Sequence, residues 1–417
     1  MEGVRSIFLG MLLFPITLLG QTFWRGADIS WYTEMEADGR RFYNRQGEER
    51  SCPALMKELG MNAIRLRVWV DPSVRLCHFC HTTDVVAKAK AAKALGMDVL
   101  IDFHYSDWWA DPGRQDIPAG WTDHTVSALQ TAVADHTREV LTALKEAGVT
   151  PRWVQVGNET NSGMLLETGR ASDASTAYAQ LFQSGARAAR EVFPNVQVIA
   201  HLANGYDQSA LQWNLSLLQK GGAGFDVIGI SCYPSLYRYW SDGKYVNVKY
   251  WSETEKREVT LASAADYIRA TFESIDFLAT RFGVPVMICE TGVPVSDVTA
   301  GTQLVTDIMT RARGNAHCQG VFYWEPQCEP SWRPSSYVSW GWNAYDMGAF
   351  QNGRPTAILD AFSPTEEEQL TEPVIPVQAA ANKAPMYDLL GRPVTSPYGF
   401  YICNGRVCCH SLQSRIQ

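Results

Sequence analysis

Nowhere in its 417 residues does the chain gather a block of lysines or arginines, and its formal net charge is −8. Proteins that track a phosphate backbone need clustered cations, so no nucleic-acid partner is expected. No glycine-rich loop follows any short apolar run. That removes the phosphate cradle of a nucleotide-binding, doubly wound sheet and leaves this architecture as the runner-up. Cys77 and Cys80 form a Cys-x-x-Cys, but no second pair completes a zinc site. Histidine is sparse as well. His104 has two aspartates nearby but no second histidine at ligand spacing, so neither a metal centre nor a required cofactor is expected.

The amino-terminal apolar run, Ile7 to Leu19, contains Pro15 and is too short for a comfortable membrane span. Arg5 precedes it and Gly20-Gln21 follow, so residues 1–20 are expected to be a signal peptide, with an uncleaved anchor as the alternative. A secreted protein is therefore expected. No cysteine follows directly, so a lipid anchor there has no support. Of the ten cysteines, Cys232 and Cys289 lie in apolar runs and read as small buried hydrophobes. A disulfide among Cys77, Cys80, Cys318 and Cys328 is left open.

Aromatic residues, by contrast, are abundant, with 14 Trp, 17 Tyr and 16 Phe. Their flat faces suit sugar rings and ligand pockets, although ordinary core packing accounts for more than half of them. Eight short runs rich in Val and Ile read as strands: Gly26–Ser30, Ala63–Trp69, Asp98–Phe103, Trp153–Gly157, Val196–His201, Val227–Ser231, Val286–Cys289 and Gly320–Tyr323. Most lack clean polar alternation, as strands buried on both faces do. Helical patterns fill the intervals at Thr82–Leu95, Thr125–Ala147, Ala174–Val192 and Ala262–Phe282. Eight strands alternating with helices predict a (β/α)8 TIM barrel over residues 21–362. Residues 363–385, rich in Glu, Pro, Thr and Ala, read as an extended linker. Residues 386–417 read as a short β-hairpin-like sorting or docking tail, with Asn404-Gly405 as its turn signal.

Two of the strands run into glutamates, Glu159 after Trp153-Val154-Gln155-Val156-Gly157-Asn158 and Glu290 after Val286-Met287-Ile288-Cys289. In a parallel barrel the carboxyl ends of the strands surround one mouth, so carboxylates 290 − 159 = 131 residues apart can face each other. Glycoside hydrolysis needs such a pair, one group to protonate the leaving oxygen and one to attack or to activate water. Glu159 is read as the acid and Glu290 as the nucleophile, with Asn158 beside a substrate hydroxyl. Arg65 and Arg67 share one strand face, from which one can reach the carboxylates; a structural ion pair is the equal alternative. Tyr233, directly after the sixth strand, is placed to donate to Glu290. His104 and Asp107 are read as hydroxyl-binding groups, Trp108 or Trp109 as a stacking face, and Trp324 as the floor. Glu325 is a rival third carboxylate.

Gly26-Ala27-Asp28-Ile29-Ser30, the stretch Asn62 to Trp69, the run Asp102 to Pro112, Gly157-Asn158-Glu159 and Glu290-Thr291-Gly292 together resemble glycoside hydrolase family 53. These are the arabinogalactan endo-β-1,4-galactanases, and the similarity spans Phe23 to Phe362. The resemblance implies a retaining barrel hydrolase with Glu159 as acid/base and Glu290 as nucleophile, acting on β-1,4-galactan of pectin. It also implies Asn158, Arg67, His104, Asp107, Tyr233 and Trp324 as site residues. Some members of that family bind a structural calcium ion in the region matching Ser331–Ala349, where no convincing ligand set is visible here. The Ser235–Glu258 insertion, rich in Tyr and Trp, is expected to reshape the cleft. The tail from Met386 resembles sorting tails of secreted Bacteroidetes proteins, and a monomer is expected. Another β-1,4-glycanase of the same clan, a mannanase or xylanase, is the alternative enzyme. A non-catalytic glycan-binding protein is the alternative outside enzymes.

Overall fold

The computed structural model describes residues 22–339 and 343–371, with four further strands within 386–410. Eight parallel strands close into a barrel: β1 (Trp24–Asp28), β2 (Ala63–Val68), β3 (Asp98–Phe103), β4 (Trp153–Val156), β5 (Gln197–Leu202), β6 (Val227–Cys232), β7 (Val286–Thr291) and β8 (Cys318–Trp324). Closure comes from β8 pairing with β1, Gly320 opposite Trp24 through Trp324 opposite Asp28. Helices cover the outside: α1 (Cys52–Glu58), α2 (Thr82–Ala94), α3 (Val126–Glu146), α4 (Ala177–Val192), α5 (Gln208–Lys220), α6 (Ala264–Phe282) and α7 (Val298–Gly314). A 3-10 helix, Ala357–Phe362, follows β8. Capping residues start several of them. Thr125, Asp207, Ser263 and Asp297 each accept the backbone N–H three residues on, a bond that satisfies an otherwise orphaned donor. The alternation defines a (β/α)8 barrel.

Inside the barrel, side chains repeat every second residue and stack in layers. The lower layer is apolar: Ala63, Leu100, Trp153, Ile199, Val227, Met287, Cys289 and Phe322 form one buried cluster. It is tightly filled, since a β-carbon on Gly26 would lie 2.2 Å from the Phe322 ring. One step up the strands the layer turns polar. Arg65 stands two residues above Ala63, Asp102 above Leu100, Gln155 above Trp153 and His201 above Ile199, all buried. Such a layer holds only if every charge and amide finds a partner, and here the partners are one another.

Several expectations need correction. The seven cysteines whose side chains are described, all between Cys52 and Cys328, are buried free thiols, so Cys77, Cys80, Cys318 and Cys328 form no disulfide with each other. Within the start of the expected linker the structure places a short helix, Glu366–Thr371, in the barrel unit. Thr365 and Glu368 form a reciprocal capping pair for the short helix Glu366–Thr371: Thr365 N–H donates to Glu368 at 2.8 Å, and Glu368 N–H to Thr365 Oγ1 at 3.2 Å. Glu368 also binds Arg25 at 3.1 Å and Arg313 at 3.0 Å, which docks the segment. Residues 372–385 and the proposed signal peptide, 1–20, lie outside the described residues. Among the described residues no helix is long and apolar enough to cross a membrane. The carboxy-terminal unit, Pro373–Gln417, carries an antiparallel sheet of four strands in which Gly399–Cys403 pairs with Arg406–His410, Cys403 opposite Arg406.

Candidate active site

Strand ends position both glutamates. After β4 the chain turns sharply through Gly157 (φ 80°) and Glu159 (φ 45°), and this turn brings the Glu159 carboxyl over the mouth. In β7 the pairing with β6 slips between Ile288 and Glu290, so that Glu290 sits opposite Ser231. A bulge of this kind re-aims a side chain, and bulges gather at active sites. Ser231 Oγ in turn donates to Glu159 Oε1 at 2.6 Å, so the two carboxyls meet across one serine. Both line a cleft of about 340 Å³ with His104, Trp109, Asn158, Tyr233 and Trp324.

Arg65 is the hub beneath them. Its guanidinium donates to Asp28 at 2.8 Å, to Asn158 Oδ1 at 2.8 Å and to Gln155 at 3.2 Å. It also pairs with Asp102 and Glu290, both at 2.9 Å. From the cleft side the Tyr233 hydroxyl donates to Glu290 Oε2 at 2.9 Å. Burial pushes the Glu290 carboxyl above its ordinary value, and Arg65 opposes this most strongly, with the Tyr233 bond also favouring the ionised form. Among the described residues no cation contacts Glu159. Burial first, and the neighbouring Glu290 charge second, raise its pKa from 4.5 to about 8, while the Ser231 bond pulls the other way. Two buried carboxyls thus share one cleft in unequal surroundings, and only Glu290 touches the arginine.

Asn158 Oδ1 accepts from Arg65 and lies 2.9 Å from His201 Nδ1, and its Nδ2 donates to Ala110 O at 2.8 Å. One amide hydrogen is left for a ligand. His104 lines the cleft, but both ring nitrogens are occupied. Nδ1 accepts from Ala110 N–H at 3.0 Å and from Trp69 Nε1 at 3.3 Å, which places the proton on Nε2, 3.1 Å from Asp102. The ring therefore orders Asp102 and is not available as a hydroxyl-binding or metal-binding group.

Three other expected site residues do not reach the cleft. Asp107 accepts from the backbone N–H of Asp71 at 3.0 Å and of Ala119 at 2.8 Å, so it staples two loops. Trp108 stacks on Trp69 at 5.0 Å, and its neighbour Trp109 takes the place in the cleft. Arg67 is buried among the indoles of Trp31, Trp69 and Trp109, at 4.9, 5.2 and 4.3 Å from their ring centroids, and binds Glu325. That pairing also disposes of the rival carboxylate. Glu325 is fully buried outside the cleft and accepts from Trp31 N–H at 3.1 Å and Gln327 Nε2 at 2.6 Å. Conversely, sequence reasoning missed His201, Ser231, Asp28 and Gln155, whose places in apolar runs look like ordinary core. It also missed Trp332 and Tyr345, which complete the cleft wall from the segment after β8.

The calcium question turns on donors. Calcium takes six to eight oxygens, carboxylates prominent among them, whereas Ser331–Ala349 holds a single acid, Asp346. That set does not fit the ion. Among the described residues no three His, Cys, Asp or Glu side chains cluster as metal ligands.

A carboxyl pair at the mouth of a (β/α)8 barrel, only one of the two bound to an arginine, with aromatic walls, defines a glycosidase-type site. Residues 24–362 match the model of Glycosyl hydrolase family 53, and the chain belongs to that family. An endo-β-1,4-galactanase of Bacillus subtilis is 31% identical, over 75% of this chain and 72% of its own. Among solved structures, a catalytic domain of the same family from Ignisphaera aggregans superposes with a TM-score of 0.69 at 27% identity, over 84% of this chain and 98% of that one. A fungal β-1,4-galactanase does so with 0.66 at 27% identity, over 82% and 99%.

Proposed function

We propose that the chain is a retaining endo-β-1,4-galactanase that cleaves galactan by double displacement. Glu159 gives its proton to the glycosidic oxygen while a Glu290 oxygen bonds the anomeric carbon and the bond to the leaving sugar breaks. The product of this step is a covalent glycosyl-enzyme. Glu159, now ionised, takes a proton from water as that water displaces Glu290, which restores both groups. The free amide hydrogen of Asn158 faces the hydroxyl next to the reacting carbon, and Trp324 and Trp109 supply flat walls for the ring. The observation that carries the reading is the unequal surroundings of the pair, with Arg65 and Tyr233 in contact with Glu290 and, among the described residues, no cation in contact with Glu159.

Galactan as substrate rests on the activities named for the Bacillus subtilis and fungal relatives. Action outside the cytoplasm, as a monomer and without a metal, completes the proposal; the first of these rests on the pattern of residues 1–20.

The test is reducing-end release from galactan, mannan, xylan and cellulose. Internal cutting of galactan alone is expected, and preference for another polymer would replace the substrate assignment. Glu290→Ala should abolish turnover, with azide restoring part of it as the glycosyl azide of inverted configuration. Wild-type rates in that variant would end the mechanism, and binding of galactan without new reducing ends would mean a glycan-binding protein instead.

A further inference from the structure

Between β6 and α6 the chain inserts two hairpins that the double displacement does not use, Arg238–Ser241 with Lys244–Asn247 and Lys249–Ser252 with Arg257–Thr260. The second packs down, with Tyr250, Ser252 and Val259 buried. The first does not: Tyr239, Trp240 and Tyr245 are 55%, 63% and 60% exposed. A two-stranded hairpin alone is marginal in water, and here its own rings help to order it. Trp240 lies directly opposite Tyr245 with the rings edge to face at 4.9 Å, and the Arg238 guanidinium sits 4.5 Å over Tyr245. The root is tied by Val248 N–H to Tyr237 O at 2.9 Å and Leu261 N–H to Val248 O at 2.9 Å. The aromatic faces are therefore held in place and left open to solvent.

Place and charge limit what can occupy them. The hairpin grows from the turn after Tyr233, whose hydroxyl holds Glu290, and so stands at the mouth end of the barrel. Seven residues separate Tyr233 from Trp240, a reach of at most about 25 Å. Arg238 and Lys244 against Asp242 leave the segment 238–247 with little net charge, which suits neither an acidic surface nor a polyanion. Ring faces edged by phenol hydroxyls, the indole N–H, Ser241 and Asn247 match a neutral ligand with apolar faces and a hydroxyl rim.

We propose that the hairpin Arg238–Asn247 is a distal binding platform, on which the part of a galactan chain that extends out of the cleft stacks against Trp240 and Tyr245. The proposal rests on the galactanase reading and deepens it. The full chain is assayed on polymeric galactan and on galactotriose, comparing wild type with the double variant Trp240→Ala, Tyr245→Ala. At roughly three- to tenfold per stacked ring, the ratio of kcat/KM for polymer to that for trisaccharide falls about tenfold or more. Retardation by galactan in an affinity gel, measured in the Glu290→Ala background, weakens in parallel. Trp213→Ala, which removes a comparably exposed indole from α5 (40% exposed), leaves the ratio as it is. An unchanged ratio in the double variant, or an equal fall in the Trp213 variant, overturns the platform while the galactanase reading stands. A wild-type enzyme that releases no reducing ends from either substrate overturns both.

Discussion

Removing one hydroxyl should move the pH dependence of the reaction in a stated direction. Ser231 Oγ is 2.6 Å from Glu159 Oε1 and 3.0 Å from His201 Nε2. Burial, chiefly, keeps His201 well below its ordinary pKa, so the ring is neutral. Its Nδ1 lies 2.9 Å from Asn158 Oδ1, with Gln155 Nε2 at 3.1 Å and the Glu159 backbone N–H at 3.4 Å also directed at it. The serine hydroxyl donates to Glu159, and that bond favours the ionised carboxylate over the acid. Ser231→Ala removes that donor. A hydrogen bond to a charged group contributes about 1.5–3 kcal/mol, and 1.36 kcal/mol corresponds to one pH unit. The Glu159 pKa, about 8 in the intact protein, should therefore rise by about one to two pH units. The alkaline limb of kcat/KM reports the acid of the free enzyme, so it should move up by the same interval in reducing-end assays on galactan, with circular dichroism as the check on folding. A limb that stays in place or moves toward acid would refute both the role of the serine and the assignment of Glu159 as the acid.

Glu159→Gln should stabilise the fold, and more so at high pH. Between the unfolded value of 4.5 and the folded value of about 8 the unfolded chain has released this proton while the folded chain retains it, so stability falls as pH rises through that interval. The ceiling is about 5 kcal/mol, reduced because the carboxyl opens onto the cleft; a Tm difference between variant and wild type that fails to grow from about pH 5 to about pH 8 would contradict the shift. Asp107→Ala should lower Tm through the loss of two backbone contacts, at about 1–3 kcal/mol per unsatisfied group, with KM for galactan little changed. A large rise in KM without a loss of Tm would return Asp107 to the substrate-binding set.

Much of this architecture was legible because parallel strands buried on both faces must be continuous apolar runs; all eight appeared at their expected places, to within a few residues. The carboxylate pair was legible for the same reason, since a charged residue ending such a run has few structural explanations. What stayed hidden is the second interior layer. His201, Ser231 and Gln155 sit inside apolar strands, and only closure of the barrel brings them level with Arg65. Strand alternation put Arg65 and Arg67 on one face but could not separate them, because their partners come from β1, β3 and β7 for one and from beyond β8 for the other. Trp108 and Trp109 follow a strand end, where no periodicity says which ring turns inward. Asp107 looked like a hydroxyl binder because its backbone donors, at Asp71 and Ala119, lie 36 and 12 residues away.

The two arginines of β2 divide three glutamates among different fates. Arg67 takes Glu325 into a dry aromatic cage, where burial raises that carboxyl to about 7 even beside the cation, and removes it from the chemistry. Arg65 takes Glu290 and holds it at the cleft, sharing its guanidinium with Asp28 and Asp102, which are themselves buried. Asp102, pushed up by burial, is held below its ordinary value by Arg65 and then by His104, so the layer under Glu290 is already negative. A further anion at the rim would add to that excess with no cation left to meet it. Glu159 is the group placed there, and retaining its proton is how it avoids the charge. In the proposed mechanism burial first, and the Glu290 charge second, make Glu159 the acid, and the direct Arg65 contact is what distinguishes Glu290 from it.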